Sequence, residues 1–125
     1  MAEIFEVLKT DDDGDSWAII KNDIPGTYPC GGEDATSRIW CFYCGESGEN
    51  IDLMMTYSEN QGEDWETPVA IITDIDEASL SFWIDEFGFQ WISYFKNDKA
   101  YAAFHNPSDD PDVWTSGEVK EVVEE

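Results

Sequence analysis

Positive charge is scarce in this chain of 125 residues. Six Lys and Arg residues stand against 29 Asp and Glu residues, which gives a formal net charge of −23 at pH 7. The acidic residues are spread along the whole chain, so they do not form a tail on a neutral domain. A field of this sign repels nucleic acid and anionic membranes, and it favours cationic partners, divalent metal ions or a saline medium. We therefore expect no direct nucleic-acid binding and no membrane binding.

Long apolar segments and a secretory leader are missing as well. The first six residues lack the basic start and the apolar stretch of a signal peptide. No run approaches the roughly 18 apolar residues of a membrane span. We expect synthesis in a cytoplasm, and the final compartment stays open. The 42% hydrophobic content, with six Trp, seven Phe and five Tyr, is enough for a packed core, so residues 1–125 are predicted to form a single domain.

Cysteine is limited to three residues, an odd number that argues against a disulfide framework. Cys41 and Cys44 have the spacing of a metal or redox pair, but they lie in an aromatic-rich run that predicts a buried strand. Residues three apart in a strand point to opposite faces, so these two thiols could not share one ion. We expect buried free thiols, and a zinc site that adds Cys30 and His105 is the alternative.

Two eight-residue segments share the pattern Ser/Thr-x-Asp/Asn-x-Gly-x-x-Trp. They are residues 10–17 and 58–65, and residues 107–114 carry a degenerate copy with Pro111 in place of the Gly. The tryptophans at 17, 65 and 114 lie 48 and then 49 positions apart, and a period of this length signals a stacked or radial repeat. The motif residues for which we predict a structural role are Thr10, Asp12, Gly14, Trp17, Ser58, Asn60, Gly62, Trp65, Asp109 and Trp114.

Local chemistry explains the composition of the motif. Ser, Thr, Asp and Asn side chains form hydrogen bonds with turn backbone, and the Gly supplies a positive φ that residues with a Cβ resist. The Trp covers the underside of the hairpin with a large apolar ring. Pro111 cannot adopt a positive φ, so the third turn must be built differently or be open.

Short apolar runs at regular intervals, separated by clusters of Gly, Pro, Asn and Asp, predict an all-β chain. Each repeat has the order strand, strand, strand, motif, strand, which is the order of a four-stranded propeller blade. A helical turn could form at Asp76–Ser79. The predicted strands are Ile4–Lys9, Trp17–Lys21, one within Gly26–Thr36, Arg38–Cys44, Ile51–Tyr57, Thr67–Thr73, Ser79–Asp85, Phe89–Phe95, Lys99–Phe104 and Glu118–Val123.

The two complete motifs resemble the Asp-box, also called the bacterial neuraminidase repeat, of sialidase-type β-propellers. The resemblance implies a partial β-propeller of about two and a half four-stranded blades, whereas closed propellers have roughly 4 to 8 blades. It also implies that the motif turns lie on the face away from a ligand site. A partial propeller leaves blade faces uncovered, so we expect completion by homo-oligomerisation or by docking onto another protein. A self-contained β-sandwich is the alternative fold.

Sialidase activity is not expected in spite of this resemblance. Sialidases hold the carboxylate of their substrate with three arginines, and Arg38 is the single arginine here. Another glycosidase would need two nearby carboxylates, which 29 acidic residues supply by chance. His105, the single histidine, has no identifiable nucleophile beside it, and we expect it to be a solvated turn residue. The chain is predicted to be non-enzymatic.

Asp11, Asp13 and Asp15 alternate around a glycine, as the oxygen ligands of a calcium loop would. The match to an EF-hand loop fails because the twelfth position is Asn22 rather than a bidentate Glu. We therefore expect no cofactor, and calcium held by these three aspartates is the alternative.

The favoured function is that of a structural or protein-binding module that acts as an oligomer, as a component of a larger particle such as a virion. Two alternatives stay open. A lectin-like propeller would bind a glycan, and exposed aromatic residues around one mouth would favour it, whereas flat apolar interfaces would favour the structural module. An acidic DNA mimic would occupy a DNA-binding protein through its negative surface.

Overall fold

The structure, a computed structural model, describes residues 4–9 and 18–119. This part of the chain contains ten strands and no helix, so the all-β prediction is confirmed and no element there could cross a membrane as a helix. The strands are β1 (Ile4–Lys9), β2 (Ala18–Pro25), β3 (Thr27–Glu33), β4 (Ile39–Ser47), β5 (Asn50–Ser58), β6 (Val69–Ile72), β7 (Ser81–Ile84), β8 (Gln90–Lys96), β9 (Lys99–His105) and β10 (Thr115–Glu118).

The strands form three antiparallel sheets, and each sheet follows the order of the chain. Strands β1 and β2 form the N-terminal sheet, β3 to β6 the central sheet, and β7 to β10 the C-terminal sheet. Segment 58–65 leads from β5 to β6, and segment 107–114 leads from β9 to β10. Both segments therefore connect the third and fourth strands of a four-stranded sheet, which is the order that the repeat predicts.

Most observed strands agree with the predicted ones to within a few residues; the last strand begins three residues before its predicted start, and one expectation is wrong. The last strand is Thr115–Glu118 and begins directly after the third motif, whereas residues 120–123 of the predicted strand lie outside the described residues. Segment 76–79 forms no helical turn. Its backbone is tied to a neighbouring hairpin instead, because the N–H of Asp76 donates to the carbonyl of Phe95 at 2.9 Å.

The main core lies between the central and C-terminal sheets. Trp40 and Phe42 of β4 are buried in one cluster with Ile92 and Tyr94 of β8. Trp114, the last motif tryptophan, stands edge-on to Trp40 at 5.8 Å and to Phe42 at 5.5 Å between ring centroids. Edge-to-face contacts at this distance are favourable for aromatic quadrupoles, so the Trp of the third motif joins the two sheets.

Strand β4 of the central sheet is buried on both faces. Cys41 and Tyr43 form a second cluster with Met54 and Trp65 on the face opposite to the main core. Cys44 belongs to the main core, so Cys41 and Cys44 point to opposite faces of β4, as the alternation of a strand predicts. All three cysteines of the chain are free thiols.

Candidate functional site

The second motif, Ser58–Trp65, forms a tight turn that its own side chains hold. Ser58 Oγ accepts the backbone N–H of Gly62 at 2.9 Å, and Asn60 Oδ1 accepts that of Asp64 at 2.9 Å. Gly62 has a φ of 89°, a value that favours glycine. Trp65 donates its indole N–H to the carbonyl oxygen of Gly62 at 3.0 Å. The polar motif residues are therefore engaged within the turn itself.

The third motif is built differently around Pro111. Asn106, the residue before the motif, accepts the backbone N–H of Ser108 at 3.0 Å through Oδ1. The backbone N–H of Asp109 donates to the Asn106 carbonyl at 2.9 Å. Trp114 donates to the Pro111 carbonyl at 2.8 Å, three residues upstream as in the second motif. Asn106 thus takes over the capping role that Ser58 has in the intact copy.

The first motif and the alternative calcium loop fall outside the described residues. These residues are Thr10, Asp11, Asp12, Asp13, Gly14, Asp15 and Trp17. Within residues 4–9 and 18–119, no group of three or more His, Cys, Asp or Glu residues could hold a metal ion. Burial raises the pKa of both Cys30 and Cys41 to about 12, which keeps these thiols protonated at neutral pH.

A second repeated turn, which the sequence pattern did not reveal, joins the first two strands of each four-stranded sheet. The Asp34 carboxylate accepts the backbone N–H of Arg38 at 3.1 Å and the indole N–H of Trp40 at 2.8 Å. The Asp85 carboxylate accepts the indole N–H of Trp91 at 2.8 Å in the same way. In both turns the tryptophan follows the aspartate by six residues.

The same hydrogen bonds keep both carboxylates ionised. Burial by itself would raise the pKa of Asp34, but the hydrogen bonds from Thr36, Trp40 and the turn backbone outweigh burial and lower the pKa. The hydrogen bond from Trp91 is the largest of the effects that lower the pKa of Asp85. Asp34 therefore stays negatively charged where it lines a cleft.

This cleft, of about 470 Å³, lies between the 34–38 turn, the start of the second motif and the ends of β8 and β9. Its polar lining is contributed by Asp34, Thr36, Arg38, Glu59, Gln90 and His105. The cleft brings together the single arginine and the single histidine, which are 67 positions apart in the sequence, counted from 38 to 105.

His105 is only 1% exposed, which corrects the expectation of a solvated turn residue. Its ring lies 5.4 Å from that of Trp40 and 5.3 Å from that of Trp114, so long-range aromatic packing buries it. Its Nδ1 lies 2.9 Å from the carbonyl oxygen of Val113. Because a carbonyl only accepts, Nδ1 carries a proton, and in the neutral tautomer that has this proton on Nδ1 the other nitrogen, Nε2, is an acceptor. This Nε2 is buried and finds no hydrogen-bond partner in the described part of the chain.

Gln90 stands directly opposite His105 in the β8–β9 pairing and is 3% exposed. Its Nε2 donates to Asp34 Oδ2 at 3.4 Å, and its Oε1 is buried without a partner among residues 4–9 and 18–119. Residues directly opposite in an antiparallel pair have Cβ atoms about 4.5–5.5 Å apart, so the side chains that carry the two unpaired atoms start from neighbouring positions on the same face. A buried acceptor without a donor costs about 1–3 kcal/mol, so binding of a donor at this end of the cleft would be favourable.

Arg38 forms one wall of the cleft. Its guanidinium lies over the rings of Trp40 and Tyr57, at 5.2 and 4.9 Å from their centroids. It also donates to the Glu59 carboxylate, at 3.1 Å from Nε, in an ion pair. The positive charge of Arg38 is therefore matched by Glu59, and Asp34 leaves this end of the cleft negative.

Sequence reasoning noted Arg38 and His105 as rare residue types but did not place them together, and it gave no reason to select Gln90. The sequence feature that could have located this site is the pair of Asp-Trp turns. Asp34 begins the first turn, and Gln90 lies in the second. Comparison of the chain with models of protein families, with curated proteins and with solved structures found no match.

Proposed function

We propose that this protein is a non-enzymatic assembly module whose C-terminal sheet binds a second copy of the chain. The observation that carries the proposal is an uncovered aromatic face. Trp83 is 43% exposed and stacks on Trp91 at 5.9 Å, and Trp91 contacts Phe104 at 5.1 Å between ring centroids. Phe95, at 40% exposure, lies on the same face because it is four residues from Trp91 along β8. Contiguous exposed aromatic surface of this kind is typical of interaction sites.

The repeat indicates what covers such a face. Trp91 has the position in the C-terminal sheet that Trp40 has in the central sheet, since each ends an Asp-Trp turn. In the central sheet, the face that carries Trp40 packs against Ile92 and Tyr94 of the sheet that follows. For the equivalent face of the C-terminal sheet, a sheet of a second copy of the chain would provide this cover.

Packing of successive four-stranded meanders face to face is how the blades of a propeller are arranged. Strands β3 and β7, the first strands of the two four-stranded sheets, contact each other, which supports this arrangement. We infer that each chain contributes about two and a half blades. The N-terminal sheet of one copy then covers the aromatic face of the next copy. This contact is heterologous, and it closes a ring where the rotation per chain permits.

Replacement of Trp83 tests the proposal. Trp83→Ser removes exposed aromatic area from the face, so we expect the wild type to be an oligomer at micromolar concentration and the variant to be a monomer with unchanged circular dichroism. Val69→Ser is the control, because Val69 is also exposed but lies on β6 of the central sheet, and we expect it to leave the oligomer intact. Sedimentation velocity or light scattering gives the masses. A cooperatively folding monomeric wild type, or an oligomer that Trp83→Ser does not change, would overturn the proposal.

A further inference from the structure

We infer that the cleft at Gln90 and His105 is a binding site for a primary ammonium group. Gln90 Oε1 and, in the neutral tautomer protonated at Nδ1, His105 Nε2 are buried acceptors without partners in the described residues, and Gln90 and His105 stand directly opposite each other in the β8–β9 pair. Asp34 Oδ2 is a third acceptor, 3.4 Å from the Gln90 amide nitrogen. An ammonium group carries three N–H donors and no acceptor, so it matches these three atoms in the number and type of hydrogen bonds. The inference does not depend on the assembly.

The donors around these atoms are already engaged, and this selects among ligands. Gln90 Nε2 is directed to Asp34, and His105 Nδ1 to the carbonyl of Val113. Thr36 Oγ1 donates to Asp34 at 2.6 Å. A sugar brings acceptors together with its donors, so it matches a set of unpartnered acceptors less well than an ammonium group does. An ammonium ligand requires acceptors alone.

The charges around the cleft also favour an ammonium ligand. Arg38, the cation that lines the cleft, is paired with Glu59, so an anionic ligand would compete with a carboxylate of the protein itself for this charge. Asp34 is ionised and has no cationic side chain among its hydrogen-bond donors in the described residues. The net charge of −23 further raises the local concentration of cations and repels anions.

The size of the cleft implies that the ammonium group is attached to a chain. About 470 Å³ is far more than the roughly 30 Å³ that one water molecule occupies in the liquid. Apolar side chains at Ala35, Ile84 and Pro107 share the lining and offer contact to methylene groups. The ligand is therefore an alkylammonium, which is either a free amine or the side chain of a lysine on a partner protein.

Titration of the full chain with four small probes tests this inference. Cadaverine represents the free amine, and Nα-acetyl-L-lysine methylamide represents the lysine side chain. Tetramethylammonium has the same charge per nitrogen but no N–H donor, and glucose supplies hydroxyl donors without charge. We expect both amines to shift the NMR signals of the Gln90 side-chain amide and the His105 imidazole, and the two controls to leave them unchanged. The amine that binds more tightly identifies the source of the group.

Gln90→Met gives a second test, because it removes Oε1 while it keeps the length of the side chain. We expect the affinity for the better amine to fall about tenfold or more, since a hydrogen bond to a charged group is lost. Glu118→Gln is the control, because it removes one exposed charge on β10, away from the lining of the cleft, and should change the affinity less than about twofold. The inference is overturned if tetramethylammonium or glucose binds as tightly as the amines, if no probe binds, or if Gln90→Met leaves the affinity unchanged. The comparison of the four probes uses the wild-type protein, so it does not depend on whether a variant folds.

Discussion

Trp114 donates its indole N–H to the carbonyl oxygen of Pro111 at 2.8 Å, and Trp65 donates to Gly62 at 3.0 Å with the same three-residue spacing. The glycine of the motif is therefore not needed to seat the tryptophan. What the glycine supplies is the positive φ, 89° at Gly62, with which its N–H donates to the Ser58 hydroxyl, whereas proline can neither adopt a positive φ nor donate an N–H. In the third copy, Asn106 supplies a side-chain cap in front of the turn instead. The motif thus has two separable parts, an aromatic anchor and a capped turn.

Replacement of Gly62 by valine should destabilise the protein by about 1–3 kcal/mol, because it forces a β-branched residue to a φ of 89°. The matched control is Gly117→Val. Gly117 lies in β10, where an added Cβ meets no atom within 4 Å, so this change should stay within about 0.5 kcal/mol. Chemical denaturation followed by fluorescence measures both. Equal effects of the two replacements would contradict the role of Gly62 in a tight turn.

Sequence patterns predicted the strands that have an apolar face and failed where backbone pairing alone defines a strand. Strand β10 reads Thr-Ser-Gly-Glu and is exposed along its whole length, so no side-chain alternation marks it. Its register with β9 places Thr115 opposite Phe104, and its position follows from the turn before it. The predicted strand was placed instead on the valines that follow Glu118, because apolar residues are the main indication of a strand in a sequence.

The candidate site was not predictable because its burial depends on contacts between distant segments. His105 precedes Asn106 and Pro107, a local context that is typical of an exposed turn. Trp40 and Trp114 cover its ring, and Trp40 comes from another sheet. The two Asp-Trp turns share little beyond the Asp and the Trp at their ends and the spacing between them. The sequence pattern therefore does not reveal this second repeat.

The thiols of Cys30 and Cys41 should be almost unreactive in the folded protein at pH 8. Burial raises the pKa of each thiol to about 12, and the thiolate is the reactive form. Relative to an ordinary thiol with a pKa of about 8.5, the thiolate fraction at pH 8 is lower by a factor on the order of a thousand. A thiol reagent such as dithionitrobenzoate should react slowly with the native chain and rapidly, at all three cysteines, in denaturant. Fast reaction of the native protein would contradict the buried placement.

Trp91→Phe should raise the pKa of Asp85 towards its ordinary value, because it removes the hydrogen bond that lowers this pKa most. The folded pKa of Asp85 is lowered, so the turn contributes stability that is complete above the unfolded pKa of about 3.9 and is lost as the pH falls through the folded value. Carbon-13 NMR titration of the carboxyl groups measures the change. Asp34 is the control in the same sample, because its partner is Trp40, and its titration should not move. A shift of both groups would indicate general unfolding rather than loss of one bond.

Raising the salt concentration should strengthen the assembly proposed for the C-terminal sheet. Each chain carries a net charge of −23, so two copies repel each other while the aromatic face attracts. The screening length falls from about 10 Å at 0.1 M to about 3 Å at 1 M ionic strength, which weakens the repulsion between surface charges and leaves apolar burial intact. Sedimentation of the wild type should therefore show a lower dissociation constant at 1 M sodium chloride than at 0.1 M. Trp83→Ser should stay monomeric at both concentrations, which separates specific assembly from precipitation by salt. Dissociation of the wild type at high salt would mean that charge pairs, and not the stacked rings of Trp83 and Trp91, hold the copies together.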